Sequence, residues 1–119
     1  MDSQISIYEH LRETYLNTYV AQVNQTVDLH SSLPILLIEF PITVPSSNKD
    51  RSIRDFVTLY VHVINKDYST ALTAAKNVRT LLDGFSDQYV YECDFEKEDY
   101  IKDDEAEVYR FIVEFLVKI

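Results

Sequence analysis

At 119 residues, with 46% hydrophobic and 26% charged side chains, the chain has the size and composition of one folded domain spanning residues 1–119, not of a disordered tail. Its formal net charge of −9 argues against tight binding to a phosphate backbone, which requires clustered Lys and Arg to displace counterions. The one cysteine, Cys93, cannot close an intrachain disulfide, so a reducing compartment and a buried, inert thiol are expected.

The amino terminus carries Asp2, Glu9, Arg12 and Glu13, a pattern unlike a signal peptide. Ser6, Ile7, Tyr8 and Glu9 read as a capping box, in which hydroxyl and carboxylate satisfy free backbone donors. A first helix is predicted from Ser3 or Ser6 to about Val20. Ile7, Leu11, Tyr15 and Thr18 share one face, flanked by Tyr8 and Tyr19, with Leu16 off it.

Residues 21–34 are polar, although Val27 and Leu29 could form a short strand. Pro34 introduces an apolar strand over 35–40, which Pro41 stops. Its apolar run is too short to cross a bilayer, so a soluble protein assembled in the cytosol, without membrane contact, is expected. Residues 41–53 read as a loop. Lys49, Arg51 and Arg54 form a basic cluster there, diluted by Asp50 and Asp55, and a solvated loop is expected over a binding patch.

Residues 54–65 alternate as a strand. Val57, Leu59, Val61 and Val63 make one face; Phe56, Thr58, Tyr60, His62 and Ile64 make the other. Asp67 or Ser69 then caps a second helix reaching about Asp83. Its buried stripe is Ala71, Ala74, Ala75, Val78, Leu81 and Leu82, and the alanines allow close approach to a sheet. Gly84, the only glycine, stands where a left-handed cap is needed.

Two further strands are predicted at 89–96 and 107–119, joined by an acidic hairpin. Between Glu92 and Glu107 lie nine carboxylates and two lysines, so this stretch carries −7 of the formal charge. Glu96, Glu98, Asp99, Asp103, Asp104 and Glu105 are expected to project into solvent, a lumen or a partner. The last strand is apolar on both sides. Tyr109, Phe111, Val113, Phe115, Val117 and Ile119 lie on one; Val108, Ile112 and Leu116 share the other with Arg110, Glu114 and Lys118.

The order helix, strand, strand, helix, strand, strand predicts an α+β fold: a four-stranded, mostly antiparallel or mixed sheet with both helices on one face. The opposite face is then bare. Phe56, Tyr60, Ile64, Val108, Ile112 and Leu116 would expose apolar surface on the order of several hundred Å², at or beyond a monomer's usual limit. A homo-oligomer interface is expected there, in preference to a covering segment from 21–34. The nine tyrosines suit such half-buried positions, and equally suit strands by propensity.

Chemistry has little to stand on. His10, His30 and His62 lack partners at ligand spacing, so no metal is expected. Asp94, Glu96 and Glu98 alternate as in a strand, without the glycine of a calcium loop. One glycine cannot build a phosphate cradle, and nothing apolar surrounds the paired carboxylates to raise a pKa. Neither enzymatic activity nor a cofactor is expected.

Taken in succession, these features resemble the tail-completion, or tail-terminator, proteins of long-tailed bacteriophages. The resemblance rests on the Ser6 to Glu9 opening, Pro34 before a short apolar strand, and a long alternating strand ahead of the helix ALTAAKNVRTLLDG (71–84). The close on Tyr109, Arg110, Phe111, Ile112, Val113, Glu114 and Phe115 completes it. It spans most of the chain, in packing patterns rather than catalytic motifs. It implies a virion subunit of the tail or neck that closes into a ring, commonly of six, on the head-proximal end of the tail tube. Its partners would be the tube protein and the head connector or stopper, with DNA passing unbound. Two other classes remain open: a ferredoxin-like ligand-sensing domain, or an acidic inhibitor of a basic partner.

Overall fold

A computed structural model describes residues 2–21, 30–41 and 56–119. Helix α1 (Asp2–Thr14) opens the chain, followed by strands β1 (Thr18–Val20), β2 (Ile35–Glu39) and β3 (Phe56–Asn65). Helix α2 (Tyr68–Leu82) then leads to β4 (Glu92–Asp103) and β5 (Val108–Lys118). The strands form one mixed sheet in the order β1-β2-β3-β5-β4, in which only β1 and β2 run parallel. The α+β class and element order agree with expectation; the sheet has five strands rather than four.

The extra strand comes out of the predicted first helix. That helix stops at Thr14 instead of continuing to Val20. Thr18 Oγ1 donates to Tyr15 O at 2.5 Å, and the chain then joins β2: Leu36 N donates to Asn17 O at 2.9 Å and Ala21 N to Ile38 O at 2.8 Å. A β-branched residue with a hydroxyl can cap its own preceding turn, and pairing with β2 outweighs one more helical turn. The short strand considered at Val27 and Leu29 and the basic cluster Lys49, Arg51 and Arg54 lie outside the described residues.

One apolar layer holds the helices to the sheet. Ile7 and Leu11 of α1, and Ala71, Ala74, Ala75, Val78 and Leu82 of α2, are buried against Leu36, Ile38, Leu59, Val61, Val63, Phe111, Val113, Phe115 and Val117. Both helices thus lie on the same face. The alanines keep the backbone of α2 close to the strands, and Leu81, expected inside, is only half-buried.

Local signals set the ends of α2. Asp67 accepts from Thr70 N at 3.0 Å and Thr70 Oγ1 at 2.7 Å. The side-chain bond from Thr70, then the backbone bond, hold its carboxyl below the ordinary value. A depressed carboxylate pKa adds stability above its unfolded value that is lost as pH falls through the folded one, so this cap weakens only in acid. At the other end, Asp83 N donates to Arg79 O at 2.8 Å and Gly84 takes φ +83°.

The acidic hairpin differs from expectation. Residues 96–103 are not a projecting loop but the second half of β4, paired with β5 from Lys97↔Glu114 to Asp103↔Val108. The strand begins at Glu92 rather than residue 89, and a bulge at Glu96 shifts the register between Phe95 and Lys97. The turn itself is residues 104–107, where Ala106 N donates to Asp103 Oδ1 at 3.0 Å. Its last residue, Glu107, takes φ 55°, a left-handed conformation that β-carbon crowding disfavours.

Opposite substitutions at the two left-handed residues should therefore shift stability in opposite directions. Gly84→Ala should cost about 1 kcal/mol from the backbone alone, because an added Cβ meets nothing within 4 Å. Glu107→Gly should gain up to about 1 kcal/mol. Phe115→Ala, in the fully buried layer, should cost about 3–5 kcal/mol. Urea unfolding monitored by circular dichroism checks all three.

Candidate functional site

The sheet face away from the helices carries the surface expected to meet other subunits. Even-numbered residues of β3 and β5 point to it, joined by Ile35, Leu37 and Glu39 of β2 and Tyr19 of β1. The six candidates there divide. Ile64 and Val108 are buried within the chain, packed with Ile35 beside Tyr19, Leu37 and Ala106. The face is therefore not bare at that end, and those two side chains belong to a second small core. Tyr60, Ile112 and Leu116 are half-buried, and Phe56 is 43% exposed.

Polar groups break up what periodicity alone presents as an apolar stripe. Ile112 stands between His62 on β3 and Asp99 on β4; Leu116 stands between Thr58 and Asp94; Tyr60 faces Glu114. Between the buried end and Ile112 lies a polar relay. His62 Nε2 is 3.0 Å from Glu39 Oε1, and Arg110 NH1 is 3.5 Å from His62 Nδ1. Arginine can only donate, so in that contact Nδ1 is the acceptor, and Nε2 faces the carboxylate of Glu39. At the far end Lys118 meets Glu92 Oε1 at 3.1 Å and Asp94 Oδ2 at 3.2 Å. Those hydrogen bonds, Glu92 first, raise the lysine pKa and keep it charged.

The acidic residues spread over the β4 edge and its turn. Glu96, Glu98 and Asp99 are exposed on the strand, while Asp104 and Glu105 are exposed in the turn. Asp103 is half-buried and builds that turn through Ala106, a structural duty its composition did not signal. On the helix side, Tyr100 and Tyr109 lie stacked at 6.4 Å, and Tyr68 meets both edge-on at 5.7 and 5.6 Å. This aromatic group was missed because its members come from a helix and two strands; only the tyrosine abundance pointed to it.

Two candidate nucleophiles among the described residues, Cys93 and Ser6, are engaged in the fold. Burial, then the charges of Asp94 and Asp83, push the Cys93 thiol up to about 12. Ser6 donates to Asp87 Oδ2, tying α1 to the turn before β4. Asp87 Oδ1 also accepts from Tyr89 N and Val90 N, each at 2.8 Å. Burial raises the Asp87 pKa, but the bonds from Ser6, Tyr89 and Val90 and the His10 charge lower it further, so the carboxylate stays ionised as a weak base. His10 stacks on Phe85 at 4.2 Å and its Nε2 meets Leu81 O at 2.9 Å. Among the described residues, no three His, Cys, Asp or Glu side chains gather as a metal site, and no helix is long and apolar enough to cross a membrane.

Comparison with protein-family models finds no match, and comparison with curated proteins finds none either. A solved structure does match: a chain in the virion of a native gene transfer agent particle. The TM-score is 0.62 at 16% identity, over 94% of this chain and 90% of that one. The likeness shows a shared fold across nearly the full length of both.

Cys93 should be unreactive towards a thiol reagent at pH 8 in the folded protein, where thiolate is scarce and the side chain is covered. In denaturant the same thiol should titrate stoichiometrically. Fast labelling of the native state would contradict its burial.

Proposed function

We propose that this chain is a structural virion subunit of the tail-terminator type. In this role it closes into a ring, of six as the resemblance implies, at the head-proximal end of a tail tube and joins the tube to the head connector. The observation that carries the proposal is the nearly full-length likeness to a chain in the virion of a gene transfer agent particle. The sequence resemblance supports it independently.

The surfaces suit such a role. Phe56, Tyr60, Ile112 and Leu116 offer apolar contact set among charges, as in a subunit interface that must also choose its register. Ile64 and Val108 support that face from inside the subunit. The carboxylates of β4 and its turn would repel DNA, which favours passage over gripping. The chain then acts by assembly, without chemistry of its own.

Negative-stain electron microscopy of the protein, alone and mixed with purified tail tubes, tests the proposal. Rings, or tubes capped at one end, are expected; a strict monomer at high micromolar concentration even with tubes present would overturn it. Two substitutions separate interface from core. Ile112→Lys should leave a folded subunit that assembles poorly, because its charge is buried only on association. Ile64→Lys should unfold the subunit itself, since that position is 0% exposed.

A further inference from the structure

β4 ends the sheet on its side, and no described strand lies beyond it. Its first half is covered. Gly84 N donates to Cys93 O at 2.6 Å, Cys93 N to Phe85 O at 3.0 Å and Phe95 N to Asp83 Oδ1 at 3.1 Å. Among the described residues, none pairs with the outer side of the second half. Tyr91 N donates to Lys118 O, so the even-numbered residues of β5 turn their backbone groups towards β4. Lys97, Asp99, Ile101 and Asp103, which stand opposite them, bond inward. Glu98, Tyr100 and Lys102 therefore direct their N–H and C=O groups outward, away from β5.

The side chains of those same three residues stand on the helix side, beside the aromatic group. Tyr100 packs on Phe111 at 5.1 Å and stacks with Tyr109, while Tyr68 closes the group edge-on. Tyr68 and Tyr100 nevertheless remain 44% and 48% exposed. Charge surrounds this platform unevenly. Lys97 and Lys102 are engaged with Asp99 at 3.9 Å and Asp104 at 3.6 Å. Among the described residues, Glu96, Glu98, Asp103, Glu105 and Glu107 have no cation within ion-pair distance.

We propose that the outer edge of β4 binds an extended, arginine- or lysine-bearing segment of a partner protein. The segment adds as a strand beside Glu98, Tyr100 and Lys102, with cationic side chains over the tyrosine rings. Outward donors and acceptors at alternate residues match an extended backbone. Exposed ring faces attract cations, more so where the guanidinium is partly desolvated. The surplus of carboxylates selects the sign of the partner and repels both DNA and the identical edge of a second copy. The surface belongs to a single chain and needs no ring; only the choice of a virion protein as partner rests on the proposed function.

The test uses the full chain, isotope-labelled, titrated with a synthetic ten-residue peptide of alternating arginine and valine and with its glutamate and valine counterpart. The arginine peptide should slow amide exchange at Glu98, Tyr100 and Lys102 while leaving the already bonded Lys97, Asp99 and Ile101 unchanged. Tyr100→Ala and Glu98→Lys should each weaken binding about tenfold or more, by removing a ring face or reversing a charge. Both positions are exposed, and the amide spectrum reports whether the fold is kept. Four results would overturn the proposal: no binding at millimolar peptide, equal binding of the glutamate peptide, shifts confined to residues 104–107, or edge protection that rises with protein concentration alone. The last would make a second copy the occupant. These outcomes are independent of whether micrographs show a ring.

Discussion

β5 is paired along both edges at once, and that double pairing constrains everything around it. Ten consecutive pairs join it to β3, from Phe56↔Lys118 to Asn65↔Tyr109, while β4 flanks its other side. On one face, Phe111, Val113, Phe115 and Val117 must be covered by helices, which fixes α2 and then α1 above the sheet. On the other face, every second residue must find company or water. A strand held so tightly cannot slip register without sending a buried set to the wrong side. The bulge at Glu96 lies on β4, not on β5, as expected if the inner strand dictates the ladder.

The two faces resolve their demands differently. The helix side is a dry layer closed by small residues, where alanines let α2 sit close. The opposite side is divided. One end is a small core of Ile35, Ile64 and Val108; next to it His62, Glu39 and Arg110 satisfy one another; beyond lie Tyr60, Ile112 and Leu116 among charged neighbours. A surface of that kind is too polar to collapse indiscriminately on any apolar partner. Its apolar side chains, Tyr60, Ile112 and Leu116, nevertheless remain partly accessible, with Phe56 more exposed beside them.

Excess acidity at the β4 edge has two physical effects. Like charges discourage edge-to-edge pairing of identical chains, which the uncovered second half of a twelve-residue strand would otherwise invite. They also oppose the approach of a phosphate backbone. Cys93 is buried with its thiol pKa raised, and Asp87 is saturated with hydrogen bonds, so neither group is poised to react.

Much of the architecture was legible in the residues. Period-two alternation marked β3 and β5, the alanine stripe and Asp67 marked α2, and Gly84 marked its end, because each of these is decided by neighbours within a turn or a pleat. Helix and strand order followed. What periodicity could not convey was which side chains the distant chain covers. Ile64 and Val108 read like Ile112 and Leu116, yet the first pair is sealed by β1 and β2 residues and the second is not. Thr18 to Val20 continued a helical pattern and became a strand, since each of its partners on β2 lies eighteen residues away in sequence and is invisible locally. The acidic stretch likewise showed its charge but not its form. Charge is a property of composition, whereas a free sheet edge with three tyrosines beside it exists only once β5, β4 and α2 have been brought together.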